Sequence, residues 1–461
     1  PKPVKYIKLN NCKINFILQK VLQRRGIDLK NELEEYLSPA ELPDPNDHFK
    51  DLNKATKRII DACHKNEKIA ICGDYDADGI TSTVLLVELL NNLGAKAKSY
   101  IPSRKEDGYG LNLKMIDEIH INGTKLAITV DNGISALDSI EKSKKYGIDL
   151  IITDHHKITN SNLDIYALIH PENSPINSPY KYLAGVGIAF MLAKNICNIL
   201  NYNIDESSAK ALFCIGTIAD MAPLIGANRK WLKDYLPKLK DTSNPGIIRI
   251  LKKQSLYDKE ITTEDIGYKI APIINAVGRI GDPQLIVEMF TSLSKDIINK
   301  SSKECFSLNN ERKRITKIIE IDAMKQAAEE YTNNRTFLVL SKSEWHPGII
   351  GIVAARIVDK YNLPTAILAE ANNGIFRGSI RSNNIKVNLA LHNCKDILLT
   401  YGGHSAAAGF SIKEENIHLL KERLNIIAHR AFKDIDLKKS IKPDACIRFQ
   451  DINQNFYRQL S

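Results

Sequence analysis

Three short apolar runs in this chain each end on acidic residues, and that punctuation decides most of what the chain can become. Residues 69–72 lead into Asp74-Tyr75-Asp76-Ala77-Asp78-Gly79, residues 125–130 into Asp131-Asn132-Gly133, and residues 149–153 into Asp154-His155-His156. A fourth string, Ala219-Asp220-Met221, closes an apolar helical run. Short runs rich in β-branched residues read as buried strands, and the stretches 55–64, 82–92 and 135–146 read as helices. Their alternation predicts βαβ units around a parallel sheet. In such sheets the ligand crevice lies outside the carboxyl ends of the strands. These carboxylates, far apart in sequence, are therefore expected to converge.

Asp74, Asp76 and Asp78 are spaced by two, so an extended chain puts them on one face. Gly79 then lets the backbone turn into a helix. So many carboxylates in one place repel one another, and some would have to hold protons. A pair of divalent cations resolves the conflict. Carboxylates with one or two imidazoles suit Mn²⁺ or Mg²⁺ better than a thiolate-preferring ion. Two ions about 3.5–4 Å apart serve phosphoryl chemistry by activating water and stabilising an oxyanion. Any one of these aspartates alone reads equally as a turn former or helix N-cap. Their joint occurrence with a His-His pair points to metal.

The length of 461 residues predicts two large domains and a fragment of a third. A net charge of +10 favours a polyanionic partner such as nucleic acid, with a Lys/Asn/Ile-rich composition bias as the other source of the excess. The eight cysteines form no CxxC pair and mostly lie in apolar runs, the pattern of a reduced cytosolic protein with buried thiols. No run approaches the roughly 20 apolar residues of a membrane span, and Pro1-Lys2-Pro3 does not read as a signal peptide. Residues 185–200 and 206–218 read as apolar helices. The charged stretch 295–331 reads as a long helix bridging two domains. A second α/β pattern follows, with strands at 337–340 and 365–368, a helix at 349–360 between them, and another helix at 414–431. Residues 445–449 have strand character.

The acidic strings, with Gly216-Thr217-Ile218-Ala219-Asp220 and Gly402-Gly403-His404, resemble the DHH phosphoesterase superfamily, and within it the RecJ-type single-strand-specific DNA exonucleases. Ile101-Pro102-Ser103-Arg104, Gly108-Tyr109-Gly110, Asn275-Ala276-Val277-Gly278-Arg279 and His346-Pro347-Gly348-Ile349-Ile350-Gly351 extend the resemblance over nearly the whole chain. It implies an α/β architecture. An extension (1–50) precedes a parallel-sheet DHH catalytic domain (51–294), a connector helix (295–331) and a smaller α/β DHHA1 substrate-binding domain (332–435). Residues 436–461 would begin an OB-like domain.

By the same resemblance, Asp74, Asp76, Asp78, Asp131, His155 and Asp220 match metal ligands for two ions. Asp131 would be the bridge, Asp78, His155 and Asp220 would complete one ion, and Asp76 would serve the other. His156 would face the scissile phosphate, with Asp154 orienting a histidine. Arg104, Tyr109, Asn275, Arg279, Ser379, Arg381, Gly403 and His404 match positions that hold the strand. Residues 402–409 are expected as a small-residue loop whose amides approach a phosphate. The implied reaction is two-metal hydrolysis of single-stranded DNA from its 5′ end, releasing 5′-mononucleotides, in DNA repair and recombination. The implied setting is a cytoplasmic monomer with a single-strand-binding protein and a helicase as partners. Competing readings are a DHH phosphodiesterase of short oligoribonucleotides or cyclic dinucleotides, an inorganic pyrophosphatase, and a non-catalytic replication scaffold.

Overall fold

A computed structural model describes residues 14–103, 110–158, 160, 162–203, 205–333, 335–433 and 443–460. Its first sheet is parallel throughout, in the order β2-β1-β3-β4-β5. The strands are β1 (Lys68–Cys72), β2 (Lys96–Tyr100), β3 (Leu126–Val130), β4 (Asp149–Thr153) and β5 (Ala167–Ile169). Every residue of β3 is buried, as are all but the first of β1 and β4. These strands are apolar on both faces because helices cover both. The helices Leu52–His64, Ala77–Asn92, Gly185–Leu200 and Glu206–Ala219 share the larger core on one side. Leu113–Ile121 and Leu137–Lys145 close a smaller core on the other. Strand order reverses between β1 and β3, so the crevice at their carboxyl ends is where such a sheet takes a ligand. Asp74 and Asp131 sit there.

The connector Lys295–Thr332 is one helix of 38 residues, about 57 Å long. Its buried positions change allegiance along its length. Ile298 and Cys305 belong to the first core, whereas Ile319, Ala323 and Ala327 belong to the second. One helix thus contributes to two cores, which fixes the spacing between them.

The second sheet has the order β6-β7-β8-β10-β9. It comprises β6 (Leu338–Lys342), β7 (Thr365–Asn372), β8 (Ile375–Arg381), β9 (Leu398–Gly403) and β10 (Ala407–Lys413). Only β6 and β7 pair in parallel; the other pairings are antiparallel. The helices Ile350–Tyr361 and Ile417–Phe432 cover it. Residues 402–409 are not a loop. Gly402 and Gly403 end β9, and Ala407 already begins β10, with Gly403 paired to Ala408. The run of small residues is a tight hairpin, because a Cβ on Gly403 would come within 2.5 Å of the Ala408 backbone.

Residues 445–449 form no strand. They run irregularly into a short 3₁₀ turn at Phe449–Asp451 and the helix Gln454–Leu460. A strand needs a neighbour for its backbone groups, and this segment instead docks on the helix Phe16–Arg24: Gln459 accepts from the Asn15 amide, and Arg25 pairs with Asp444. Six of the seven described cysteines are buried, as expected, whereas Cys446 is exposed. Among the described residues, no helix is long and apolar enough to cross a membrane.

Candidate metal centre and strand-binding cleft

The loop after β1 turns straight into the helix Ala77–Asn92. Asp76 caps that helix, accepting from the Asp78 and Gly79 amides at 3.0 Å. The turn is tight enough to need Gly79, since a Cβ there would lie 2.6 Å from the Asp74 carbonyl oxygen. Asp78 is 1% exposed. Its carboxylate accepts from the amides of Gly185 and Val186 at 2.7 and 2.8 Å, at the N-terminus of the next long helix. A helix N-terminus suits an anion, so the Asp78 side chain is fixed before any ligand arrives.

Asp131 follows β3 in a left-handed conformation (φ 62°) and is 2% exposed. Its Oδ1 lies 3.0 Å from His155 Nε2. The same imidazole nitrogen is 3.8 Å from Asp78, and its Nδ1 is 4.0 Å from Asp220, at the C-terminus of the helix Glu206–Ala219. His155 therefore sits at the centre of three carboxylates from three separate segments. Two sets of side chains lie close enough to share a cation: Asp78, His155 and Asp220, and Asp131, His155 and His156.

The electrostatics show the strain of such a cluster. Burial, then the charges of Asp78, Asp76, Asp74 and Asp154, hold the Asp131 carboxyl well above its usual range. Burial with Asp220 and Asp76 raises Asp78 to about 7, and burial with Asp76 raises Asp220 to about 7. Burial pushes the His155 imidazole down, toward its neutral, metal-binding form. Carboxylates driven to hold protons, around an imidazole kept neutral, are the donor set a hard divalent cation satisfies. The residues fit Mn²⁺ or Mg²⁺.

His156 has a different environment. Asp154 Oδ1 lies 2.8 Å from His156 Nδ1 and accepts both histidine amides, while its Oδ2 accepts from Ile134. Burial alone would depress His156, but the hydrogen bond and charge of Asp154 raise it to about 9. Burial pushes Asp154 up, yet His156 and the amides bring it down to about 2. The His156 ring faces that of His404 from the second sheet, with centroids 6.2 Å apart and planes 16° from parallel.

A cavity of about 990 Å³ lies between the two sheets' domains, with Gly403, the neighbour of His404, in its lining. Tyr75 and Arg279 line it on one side; Ser379, Arg381, Gly402 and Gly403 line it on the other. Ser379 and Arg381 share a face of β8, and Arg381 Nη1 donates to Ser379 Oγ at 3.2 Å. Gly351 keeps this pocket open: a Cβ there would meet Ser379 Oγ at 2.9 Å and Arg381 Nη2 at 3.2 Å. Arg279 reaches across to donate to the Gly348 carbonyl at 3.2 Å.

Other sequence candidates fall elsewhere. Asn275 lies beneath the helix Ala77–Asn92, its Oδ1 accepting from the Ala77 amide at 2.8 Å. His346 accepts from the Gly348 amide through Nδ1 and also lines the cavity. Arg104 and Tyr109 lie outside the described residues.

Sequence reasoning missed several supports. Buried His170 contacts the His156 carbonyl through Nε2 at 2.7 Å, while its Nδ1 accepts from Glu172. Asn132 ties the ends of β1 and β3 together by donating to Cys72 and Val130 carbonyls. Gly185 admits Asp131, whose Cβ would lie 2.5 Å from any Cβ placed there. Asn132 adjoins a recognised string, whereas His170 and Gly185 lie well outside any.

The chain matches the DHH family, N-terminal domain, over residues 68–217 and the DHHA1 domain over residues 334–429. It is 34% identical over 440 residues to the single-stranded-DNA-specific exonuclease RecJ of Bacillus subtilis, covering 95% of this chain and 55% of that protein. It is 31% identical over 427 residues to the Escherichia coli protein of the same name, covering 88% and 74%. A crystal structure of RecJ from Thermus thermophilus in complex with Mn²⁺ superposes with a TM-score of 0.78 at 29% identity, over 90% of this chain and 59% of that one. A structure of exonuclease RecJ bound to manganese gives 0.75 at 30% identity, over 87% and 99%. The chain thus spans a little over half the length of the Bacillus subtilis relative.

Proposed function

Because the chain belongs to the RecJ family of DHH–DHHA1 proteins, we propose that it is a metal-dependent 5′→3′ exonuclease that releases 5′-mononucleotides from single-stranded DNA, in repair and recombination. One observation carries the reading. The His155-centred carboxylate cluster and the His156–His404 ring pair stand next to a cavity lined by Tyr75, between Asp74 and Asp76, and by Gly403, before His404, whose other wall carries Ser379 and Arg381. A phosphodiester at the first and a terminal phosphate at the second would be bridged by one unpaired strand.

Asp78, His155 and Asp220 would hold one ion, Asp74 and Asp76 would serve the other, and Asp131 would join them. When bound, Mn²⁺ or Mg²⁺ would lower the pKa of water and offset phosphoryl charge. His156, held by Asp154 with its Nδ1 proton toward the carboxylate, presents the opposite ring edge to the scissile phosphate as a donor. The Arg381 fork, steadied by Ser379, matches phosphate geometry, and His404 and the Gly403 backbone close the cavity over the end of the strand. Arg279, at the junction of the two domains, contributes positive charge along the path. Family resemblance extends the reading to a cytoplasmic monomer that works beside a single-strand-binding protein and a helicase.

The test is to incubate the protein with Mn²⁺ and labelled single-stranded DNA, duplex, RNA or a cyclic dinucleotide. Release of mononucleotides from single-stranded DNA is expected, and Asp131→Ala should abolish it, by roughly a thousandfold or more. Preference for the cyclic dinucleotide would overturn the exonuclease reading. Full activity of Asp131→Ala would overturn the metal assignment.

A further inference from the structure

The helix Glu206–Ala219 ends in a motif that ordinarily takes glycine. The Met221 amide donates to Ile218 and the Ala222 amide to Thr217, which places Met221 at the left-handed position of a Schellman cap. Its φ is 60°, and the residue is 87% exposed. A long apolar side chain thus occupies a strained backbone site and buries almost nothing. No packing gain offsets the strain. Met221 is also the residue immediately after Asp220.

Its surroundings extend the apolar surface. Leu224 and Ile225 follow in the same loop, both about 40% exposed, and Tyr182 is 47% exposed. Asn228 donates to the Tyr182 and Pro223 carbonyls, and the Ala227 amide donates to Pro179, so the two loops are stitched together. The Tyr182 loop runs directly into Gly185, whose amide holds Asp78. Along the chain, the two loops therefore lead into the carboxylate cluster, through Asp220 from one and Gly185 from the other.

We propose that Met221, with Tyr182, Leu224 and Ile225, is a platform for the nucleobase flanking the scissile phosphate; this rests on the exonuclease reading above. A base is one sugar away from its phosphate, and a side chain adjacent to a carboxylate that faces that phosphate lies within reach of it. An unpaired base has an apolar face that a duplex hides. A flexible thioether accepts purines and pyrimidines alike and makes favourable contacts with aromatic rings, which suits an enzyme that degrades any sequence. Stacking of this kind selects single strands without reading them.

Two variants test this. Met221→Gly relieves the backbone and removes the platform; Met221→Leu keeps the apolar bulk. Kinetics with Mn²⁺ would be measured on oligonucleotides carrying ordinary or abasic residues at the first or second position from the 5′ end. Met221→Gly should unfold no earlier than the wild type and raise KM roughly three- to tenfold on the ordinary strand. Met221→Leu should recover most of the loss, and the effect should vanish on one of the abasic strands. An unchanged KM on every naked strand, as expected of a surface for a protein partner, would overturn the proposal. So would an equal loss on all the strands, which would mean that the residue acts through Asp220. A wild type that hydrolyses no DNA would instead overturn the exonuclease reading itself.

Discussion

The carboxylate cluster and the cavity across from it are built on opposite principles. In the cluster, Asp74, Asp78, Asp131 and Asp154 are at most 2% exposed, and backbone amides position the oxygens of Asp78 and Asp154. In the cavity, Gly402 and Gly403 are exposed, and Arg381 sits on a strand face rather than in the core. The first region has its geometry set by the fold and holds charge at a cost. The second is open and exposed, with the room that the proposed strand would need. The difference teaches that chemistry and grip are separable here, and each can be broken without the other.

The sharpest way to break the cluster alone is Gly185→Ala. The added Cβ would meet Asp131 Cβ at 2.5 Å, in a helix N-terminus that also holds Asp78. Both carboxylates must shift. We expect Mn²⁺ affinity, by calorimetric titration, to fall roughly 10- to 100-fold, the usual penalty for losing support around a metal site. Binding of single-stranded DNA in the presence of chelator should change little. A parallel loss of DNA binding would show that the two regions are not separable.

Arg381→Ala breaks the comparison from the other side. It removes a charged fork from β8 and leaves the metal cluster untouched. Loss of a hydrogen bond to a charged group costs about 1.5–3 kcal/mol, so KM should rise roughly tenfold or more on 5′-phosphorylated strands. Strands with a 5′-hydroxyl should show a smaller change. Mn²⁺ affinity should be unaltered. An equal effect on both kinds of strand would move the terminal phosphate away from Arg381.

The two regions were also unequally legible in the sequence. Asp131 and Asp154 could be placed because β3 and β4 are almost wholly apolar, and a parallel sheet delivers whatever follows such strands to one edge. Gly185, Asn132 and His170 could not, because their roles arise from segments far away in the chain: a neighbour's Cβ, two strand ends, a carbonyl 14 residues back. Periodicity reports which face a residue takes, not what arrives opposite it. The edge strand β9 of the second sheet was missed for a related reason. β9 is exposed along nearly its whole length and carries two glycines, so it shows no alternation to read, and its turn through His404 looked like a loop. The supposed strand at 445–449 erred the other way: local β-character without a partner strand yields no strand.

Asp154→Asn sharpens the comparison most finely, because it asks whether the charge at the edge of the cluster is structural. In the metal-free protein, His156 is raised to about 9 from the ordinary value near 6.5, despite burial, by the Asp154 hydrogen bond and charge. The folded state therefore binds this proton more tightly than the unfolded chain does. That contribution is fully present below about pH 6.5 and is lost as pH rises through about 9. Asp154→Asn removes the charge and leaves the burial, so His156 should titrate well below 9. The melting temperature of the variant should fall a few degrees short of wild type at pH 6, measured with chelator present. The gap should narrow by pH 9.5 without closing, because the backbone amides of Ile134, His155 and His156 still lose a carboxylate acceptor. A constant gap for Asp154→Asn would mean that Asp154 holds the loop through its amide contacts alone, and that the pairing with His156 adds nothing to the fold.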